Sequence, residues 1–242
     1  MGTESAEIRM LETPHGTLEY CFQRKKIKNI NVRVKQDGTI RVSAPMRTAL
    51  RTVEDFLRSR AAFILAAQAR FRAMHSALPE MHYRTGDEFP LLGDMLRLEV
   101  CAAPSDSVTR EGDTVTVSAR EPQTPERIKK LLDDWIAGQA LSVFTEIMRE
   151  TAALFADLPV PAASLRIRRM VSRWGSCHTQ KHIVTLNRRL IEAPRRCIAY
   201  VVIHEFCHFI HADHSAQFYA LLERKCPDWR ACKTLLEQSV IL

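Results

Sequence analysis

Residues 204–208 read His-Glu-Phe-Cys-His inside a run that is otherwise apolar, with Tyr200-Val201-Val202-Ile203 before them and Phe209-Ile210 after. No other feature constrains the chain as strongly. With Pro194 suited to a helix start, the run predicts a helix from Pro194 to about His211, largely packed into a core. Residues four apart in a helix lie on one face, one turn above each other, so His204 and His208 point the same way. Burying two imidazoles and a carboxylate without partners is costly. The helix must therefore be a set of core histidines satisfied by hydrogen bonds, or it must face a cleft where a metal ion answers them, and the second reading is preferred.

His-Glu-x-x-His is a metal-binding spacing with a mechanism behind it. Imidazole nitrogens suit zinc at ~2.0–2.1 Å. Glu205, next to the first ligand, can take a proton from metal-bound water, whose pKa the ion lowers toward ~7. A catalytic zinc needs a third protein ligand and one open position. His214 ranks first, because six residues after His208 are enough to leave the helix and fold back. Glu223, on a later helix, ranks second. His211 ranks last, since a helical rise of ~1.5 Å per residue puts it roughly 10 Å along the axis from His204. The spacing 204/208/214 matches the metzincin pattern with His211 where that pattern has glycine, a place where histidine's tolerance of positive φ would help. Metzincins also need a methionine turn downstream, and the last methionine here is Met170.

The rest of the chain predicts an α+β protein: a zincin-like catalytic unit with a β-rich N-terminal region. Ile30, Val32 and Val34, then Ile40 and Val42, alternate with polar residues around Asp37-Gly38, a strong hairpin signal. Leu18 to Phe22 reads as a further strand. Residues 48–73 switch to helical spacing, with Val53, Phe56, Leu57, Phe63 and Ile64 as the stripe. Short strands resume at 96–100 and 115–117 after turns at Gly93-Asp94 and Gly112-Asp113, and the polar segment 102–111 reads as a loop. Thr124 and Pro125 open a long helix as N-cap and first residue. A soft boundary near residue 122 divides the chain into 1–122 and 123–242, and no internal repeat is evident. Leu165 to Val171 and Ile183 to Leu186 read as strands on either side of Trp174-Gly175-Ser176-Cys177, which reads as a turn where Gly175 permits unusual backbone. Two helices broken at Pro227 follow.

The seven cysteines form no Cys-x-x-Cys pair and are odd in number, so a disulfide framework is not expected and a reducing cytoplasm fits. No secretory signal is expected from the polar first residues, and no apolar stretch reaches the ~20 residues of a membrane span. The net charge of +7 permits an anionic partner without demanding one.

Arg173-Trp174-Gly175-Ser176-Cys177, Leu186-Asn187, Leu190, Tyr200 to His208, His214-Ser215 and Phe218 together resemble the YgjP-like metallopeptidase family, relatives of the SprT-type proteases. The specific motifs run from about 166 to 219. The resemblance implies a zincin-like fold, zinc on His204, His208 and His214, Glu205 as base, and a peptide or protein substrate. Asp213 and Tyr219 depart from the family's usual Asn and Trp without removing a ligand. Asp213 reads as an acceptor for a ligand imidazole or as a turn residue. Arg173, Trp174 and Tyr219 are the candidate substrate-binding residues. Arginines are dense at 166, 168, 169, 173, 188, 189, 195 and 196. A solvated face is the plainer reading, and a rim for nucleotide or nucleic acid the sharper one. Two rivals follow: a nucleotide pyrophosphohydrolase, or a nucleic-acid-associated module whose metal is structural.

Overall fold

The computed structural model describes residues 7–35, 38–77, 81–121, 123–170 and 173–239. It has the α+β architecture expected and divides into two compact units, 1–78 and 79–242.

The first unit is a four-stranded sheet with one helix. The strands β1 (Glu7–Thr13), β2 (Gly16–Lys25), β3 (Asn31–Val34) and β4 (Ile40–Pro45) lie in the order β1-β2-β4-β3, and α1 (Leu50–Ala77) follows. The expected hairpin pairs Val34 with Ile40 and Val32 with Val42. Asp37 of its turn lies outside the described residues, and Gly38 takes φ 78°, which favours glycine. On α1 the core positions are Val53, Leu57, Ala61 and Ile64. Phe63, expected in that stripe, is 76% exposed: at helical spacing from Val53 and Leu57 the buried place falls to Ala61.

The second unit opens with another sheet and helix: β5 (Glu88–Leu91), β6 (Asp94–Ala102), β7 (Ser107–Glu111), β8 (Thr114–Ala119) and α2 (Pro125–Leu154). Segment 102–111, expected as a loop, contains β7, whose backbone pairs with β8 although its side chains, Val108 aside, are polar and exposed. The boundary expected near 122, itself outside the described residues, falls inside this unit. Phe89, Leu91, Leu96, Leu98, Val115 and Val117 share one buried core with Ile128, Leu132 and Phe144 of α2, and that sheet cannot be separated from α2 without exposing it. Thr124 caps α2 as expected, accepting from the Arg127 N–H.

The two sheets have one topology. Each runs hairpin, parallel step, hairpin, long helix, and β5-β6-β8-β7 repeats the order of the first. The registers coincide: Phe22↔Val42 and Val32↔Val42 in one are Val100↔Val117 and Val108↔Val117 in the other. Sequence periodicity does not disclose this repeat.

A three-stranded sheet then forms from β9 (Ser164–Arg168), β10 (Gly175–His178) and β11 (Ile183–Asn187), in the order β10-β11-β9. Val171, expected at the end of the first strand, lies outside the described residues, and β9 stops at Arg168. The helices α3 (Arg195–Cys207), α4 (Ala216–Lys225) and α5 (Trp229–Ser239) complete the unit, with α4 and α5 separated at Pro227 as expected.

Candidate metal centre

Beyond its exposed first residues, Arg195 and Arg196, helix α3 is buried nearly all round, and its histidine and glutamate lie at its C-terminal end. It ends at Cys207, earlier than the expected His211. Tight turns close it: the N–H groups of Phe209 and Ile210 donate to the carbonyls of Phe206 and Cys207, and that of His211 also to Cys207. Such short bonds satisfy the last carbonyls without a glycine. His211 is not among the residues with positive φ, so histidine's tolerance of that region is not called upon. The chain returns through 212–214, and Ser215 caps α4 by accepting from the Phe218 N–H.

This return brings His214 to the two helix histidines. Ligand nitrogens of His204, His208 and His214 all lie within 4.8 Å of one another. His214 Nε2 and His204 Nε2 approach to 3.1 Å. His208 Nδ1 meets the His211 carbonyl at 3.1 Å, so Nδ1 carries the proton and Nε2 keeps its lone pair for an ion. Phe218, fully buried, lies beneath all three rings, with centroids 4.9, 4.7 and 4.8 Å from His204, His208 and His214. Burial, then the charges of the neighbouring imidazoles, pushes His204 down to about 4; burial also lowers His208. Both are therefore neutral at neutral pH, the form that binds metal.

Glu205, one of three buried polar or charged residues described, is 6% exposed. Burial raises its carboxyl to about 7, against the opposing pull of the Arg173 guanidinium and of the Cys177 backbone N–H, which donates to it. Gly175 lies against it: a Cβ there would meet Glu205 Oε1 at 2.6 Å, Cγ at 2.9 Å and Cδ at 3.0 Å. The Trp174–Cys177 element is thus not a turn demanding unusual backbone. Residues 175–178 are strand, Gly175 has no positive φ, and the glycine is required for space.

Asn187 is a structural residue to which the sequence reading gave no role. Fully buried, it donates through Nδ2 to the Met170 and Arg173 carbonyls at 2.8 and 3.1 Å, and its Oδ1 accepts from Arg189 N at 3.2 Å. Its own N–H donates to the Trp174 carbonyl. Met170, Arg173 and Trp174 are thereby tied to β11.

The other candidates divide. Tyr219 is 40% exposed, with its ring 6.2 Å from that of His214 and stacked at 5.4 Å on Trp229, which the sequence reading passed over. Trp229 stacks in turn on Tyr200. Glu223 is not brought to the histidines; it accepts from Trp229 Nε1 at 2.7 Å and Arg230 at 2.6 Å. Asp213 is exposed and caps nothing, the α4 cap being Ser215. Burial and the nearby Glu205 carboxylate push the Cys177 thiol up to about 12, so it is protonated and no nucleophile. Cys207 is buried in the core. Of the eight arginines, Arg188 pairs with Asp133, Arg189 with Glu192, and Arg195 with Glu146 and Glu150.

Taken together with what the chain resembles, the fold and this cluster define the class: a metal-dependent peptidase. The chain belongs to the YgjP-like metallopeptidase domain family, whose model matches residues 28–239. Among solved structures it is similar to the metallopeptidase zymogen of Pyrococcus abyssi abylysin, at 16% identity and TM-score 0.33, over 41% of this chain and 99% of that one. It is also similar to the zymogen of Methanocaldococcus jannaschii jannalysin, at 18% identity and TM-score 0.32, over 38% of this chain and 93% of that one. No curated protein matches the chain. No helix among the described residues is long and apolar enough to cross a membrane.

Proposed function

We propose that this protein is a zinc peptidase in which His204, His208 and His214 hold the ion and Glu205 is the general base. The observation that carries this reading is the convergence of three imidazole nitrogens, two from residues with depressed basicity, beside a buried carboxylate. Ligands at ~2.0–2.1 Å in a tetrahedral array stand roughly 3.4 Å apart, close to the 3.1 Å between His204 and His214. When bound, zinc supplies Lewis-acid polarisation of the scissile carbonyl and acidifies the attacking water. Glu205, raised to about 7, accepts that water's proton and delivers it to the leaving amine, a task suited to a pKa near the working pH. Arg173, whose charge is felt at Glu205, is suited to the oxyanion. Trp174 and Tyr219 form walls for a peptide substrate.

No observation at this site favours the nucleotide-hydrolase or structural-metal alternatives. Three of the eight arginines offered for phosphate are engaged in ion pairs, and three histidines leave a tetrahedral ion one position open. The seven cysteines are free thiols, consistent with the cytoplasmic placement proposed.

The test is the metal content of the wild type and single alanine variants. Stoichiometric zinc should be lost at His204, His208 and His214 and retained in His211→Ala and Glu223→Ala. Glu205→Gln should keep zinc and lose peptidase activity by ~10²-fold or more. A wild type that takes up no zinc, or zinc that survives loss of His214, would overturn the assignment.

A further inference from the structure

The formal charge of +7 is carried by one unit alone. Residues 1–78 hold 14 Lys and Arg against 7 Asp and Glu, whereas residues 79–242 hold 21 of each. In the first unit the ion pairs among the described residues are Arg9 with Glu7 and Arg58 with Glu54 and Asp55. Lys25, Lys26, Lys28, Arg33, Arg41 and Arg47 are exposed and make no ion pair among the described residues.

The sheet gathers these six cations. Lys25 stands in register with Pro45, so Lys25, Lys26 and Arg47 share one end of the sheet, beside Lys28 in the β2–β3 connection. Tyr20, Phe22 and Val42 are buried with the core residues of α1; alternate residues, Cys21, Arg33 and Arg41, face the other way. There Arg33 stands directly opposite Arg41. Glu12 and Glu19 stand toward the other end, where β1 turns into β2, so the face is polarised.

Like charges directly opposite on antiparallel strands work against a sheet, and this fold does not require them. The β5–β8 sheet provides the control. Where the first sheet has Cys21↔Arg41↔Arg33, the second has Glu99↔Thr116↔Thr109, while inward positions remain apolar in both. One topology is thus built with and without the arginines, and the version that keeps them sets aside a favourable threonine pair for a repulsive one. A bound anion removes that repulsion.

We propose that the outer face and basic end of the β1–β4 sheet bind nucleic acid through its phosphodiester backbone. Guanidinium groups pair with phosphate oxygens bidentately, and the lysines extend the track. The strand residues described on this face include no aromatic side chain on which bases could stack, so recognition is of charge rather than sequence. These residues belong to the first unit, whereas the arginines at 166–196 belong to the second.

The experiment measures binding of the full-length protein to a labelled 20-base-pair DNA duplex and a 20-nucleotide RNA by fluorescence anisotropy across a salt series. Binding should weaken steeply with salt, by roughly one power of the salt concentration per phosphate contacted. R33T/R41T, which installs the residues of the second sheet, should lower affinity at least ~10-fold and reduce the slope by about 2. Its melting temperature should equal or exceed that of the wild type, since a repulsive pair is gone. K25Q/K26Q/K28Q, in and beside a connection, should act the same way and serves if R33T/R41T misfolds. R166T/R168T should bind like the wild type. The proposal is overturned if the wild type fails to bind at ~50 mM salt, if both basic-face variants bind unchanged, if R166T/R168T loses binding equally, or if the protein binds phosphatidylserine vesicles but neither nucleic acid.

Discussion

Gly175→Ala isolates the placement of Glu205 from the three proposed metal ligands. The added Cβ would lie 2.6 Å from Glu205 Oε1, and ordinary van der Waals contact begins near 3.4 Å, so one side must give by roughly 0.8 Å. The strand is poorly able to move: Gly175 pairs with buried Leu186, and the adjacent Trp174 carbonyl accepts from Asn187 N–H. The carboxylate must therefore shift. A displacement approaching 1 Å costs on the order of 10²-fold in rate, about 2.7 kcal/mol. Overpacking costs about 1–3 kcal/mol of stability, a fall of about 2–12 °C in melting temperature for a chain of this length. Zinc should stay stoichiometric, because the three heavy atoms nearest the added Cβ all belong to Glu205. The assay is cleavage of an unstructured protein such as casein by metal-loaded wild type, Gly175→Ala, Glu205→Gln and the double variant. If the glycine acts through Glu205, the double variant is no slower than Glu205→Gln alone. Full activity of Gly175→Ala at wild-type zinc content, or a further loss in the double variant, would refute the reasoning.

Two further perturbations follow from the same geometry. Asn187→Ala should strip partners from two backbone carbonyls and the Arg189 N–H, costing about 1–3 kcal/mol; an unchanged melting temperature would show that the 170–174 segment is held otherwise. Asp106 is held below the ordinary carboxylate range by the Arg120 backbone N–H and then by the Arg127 guanidinium. Because its folded pKa lies below the unfolded one, its contribution is present above about pH 4 and is lost as pH falls through the lowered value. Asp106→Asn should therefore melt below wild type at pH 7 and converge with it near pH 2, and a constant difference across that range would contradict the assignment.

What the sequence made legible was local. The β3–β4 hairpin, the Thr124-Pro125 helix start and the facing of His204 and His208 each follow from residues within one or two turns of each other. What stayed hidden depends on partners far along the chain. Strand β7 is an edge strand, polar and exposed apart from Val108, that owes its conformation to β8. The boundary expected near 122 falls within one unit, because the β5–β8 sheet shares its core with α2. Gly175 is glycine because Glu205, thirty residues later, occupies the space. The repeated topology escaped notice because the inward positions keep only apolar character, as in Leu11 against Phe89 or Val53 against Ile128, while the outward positions diverge; the tripeptide Val-Ser-Ala at 42–44 and 117–119 is the trace that remains.

His214, the third ligand proposed, shows where local and distant causes meet. Spacing alone ranked His214 above Glu223, because six residues suffice to turn back, but it does not say what holds the returned imidazole. In the fold the answer is α4. Ser215 caps that helix immediately after His214, and one turn inside it Phe218 is buried beneath all three rings. An apolar floor cannot compete for the imidazole lone pairs, and it excludes the water that would otherwise solvate a charged ring. The burial that depresses His204 and His208 thus also aims them, and in the proposed site the cost of orienting the three histidines is met when the chain folds rather than when an ion arrives. Tyr219, next along α4, stacks on Trp229 at the edge of the same cluster. Glu223 lies on the helix that supplies this floor, and its carboxylate is engaged with the Trp229 indole and Arg230. It therefore helps fasten the aromatic wall from behind, which is why a carboxylate at a plausible ligand spacing serves the centre without entering it.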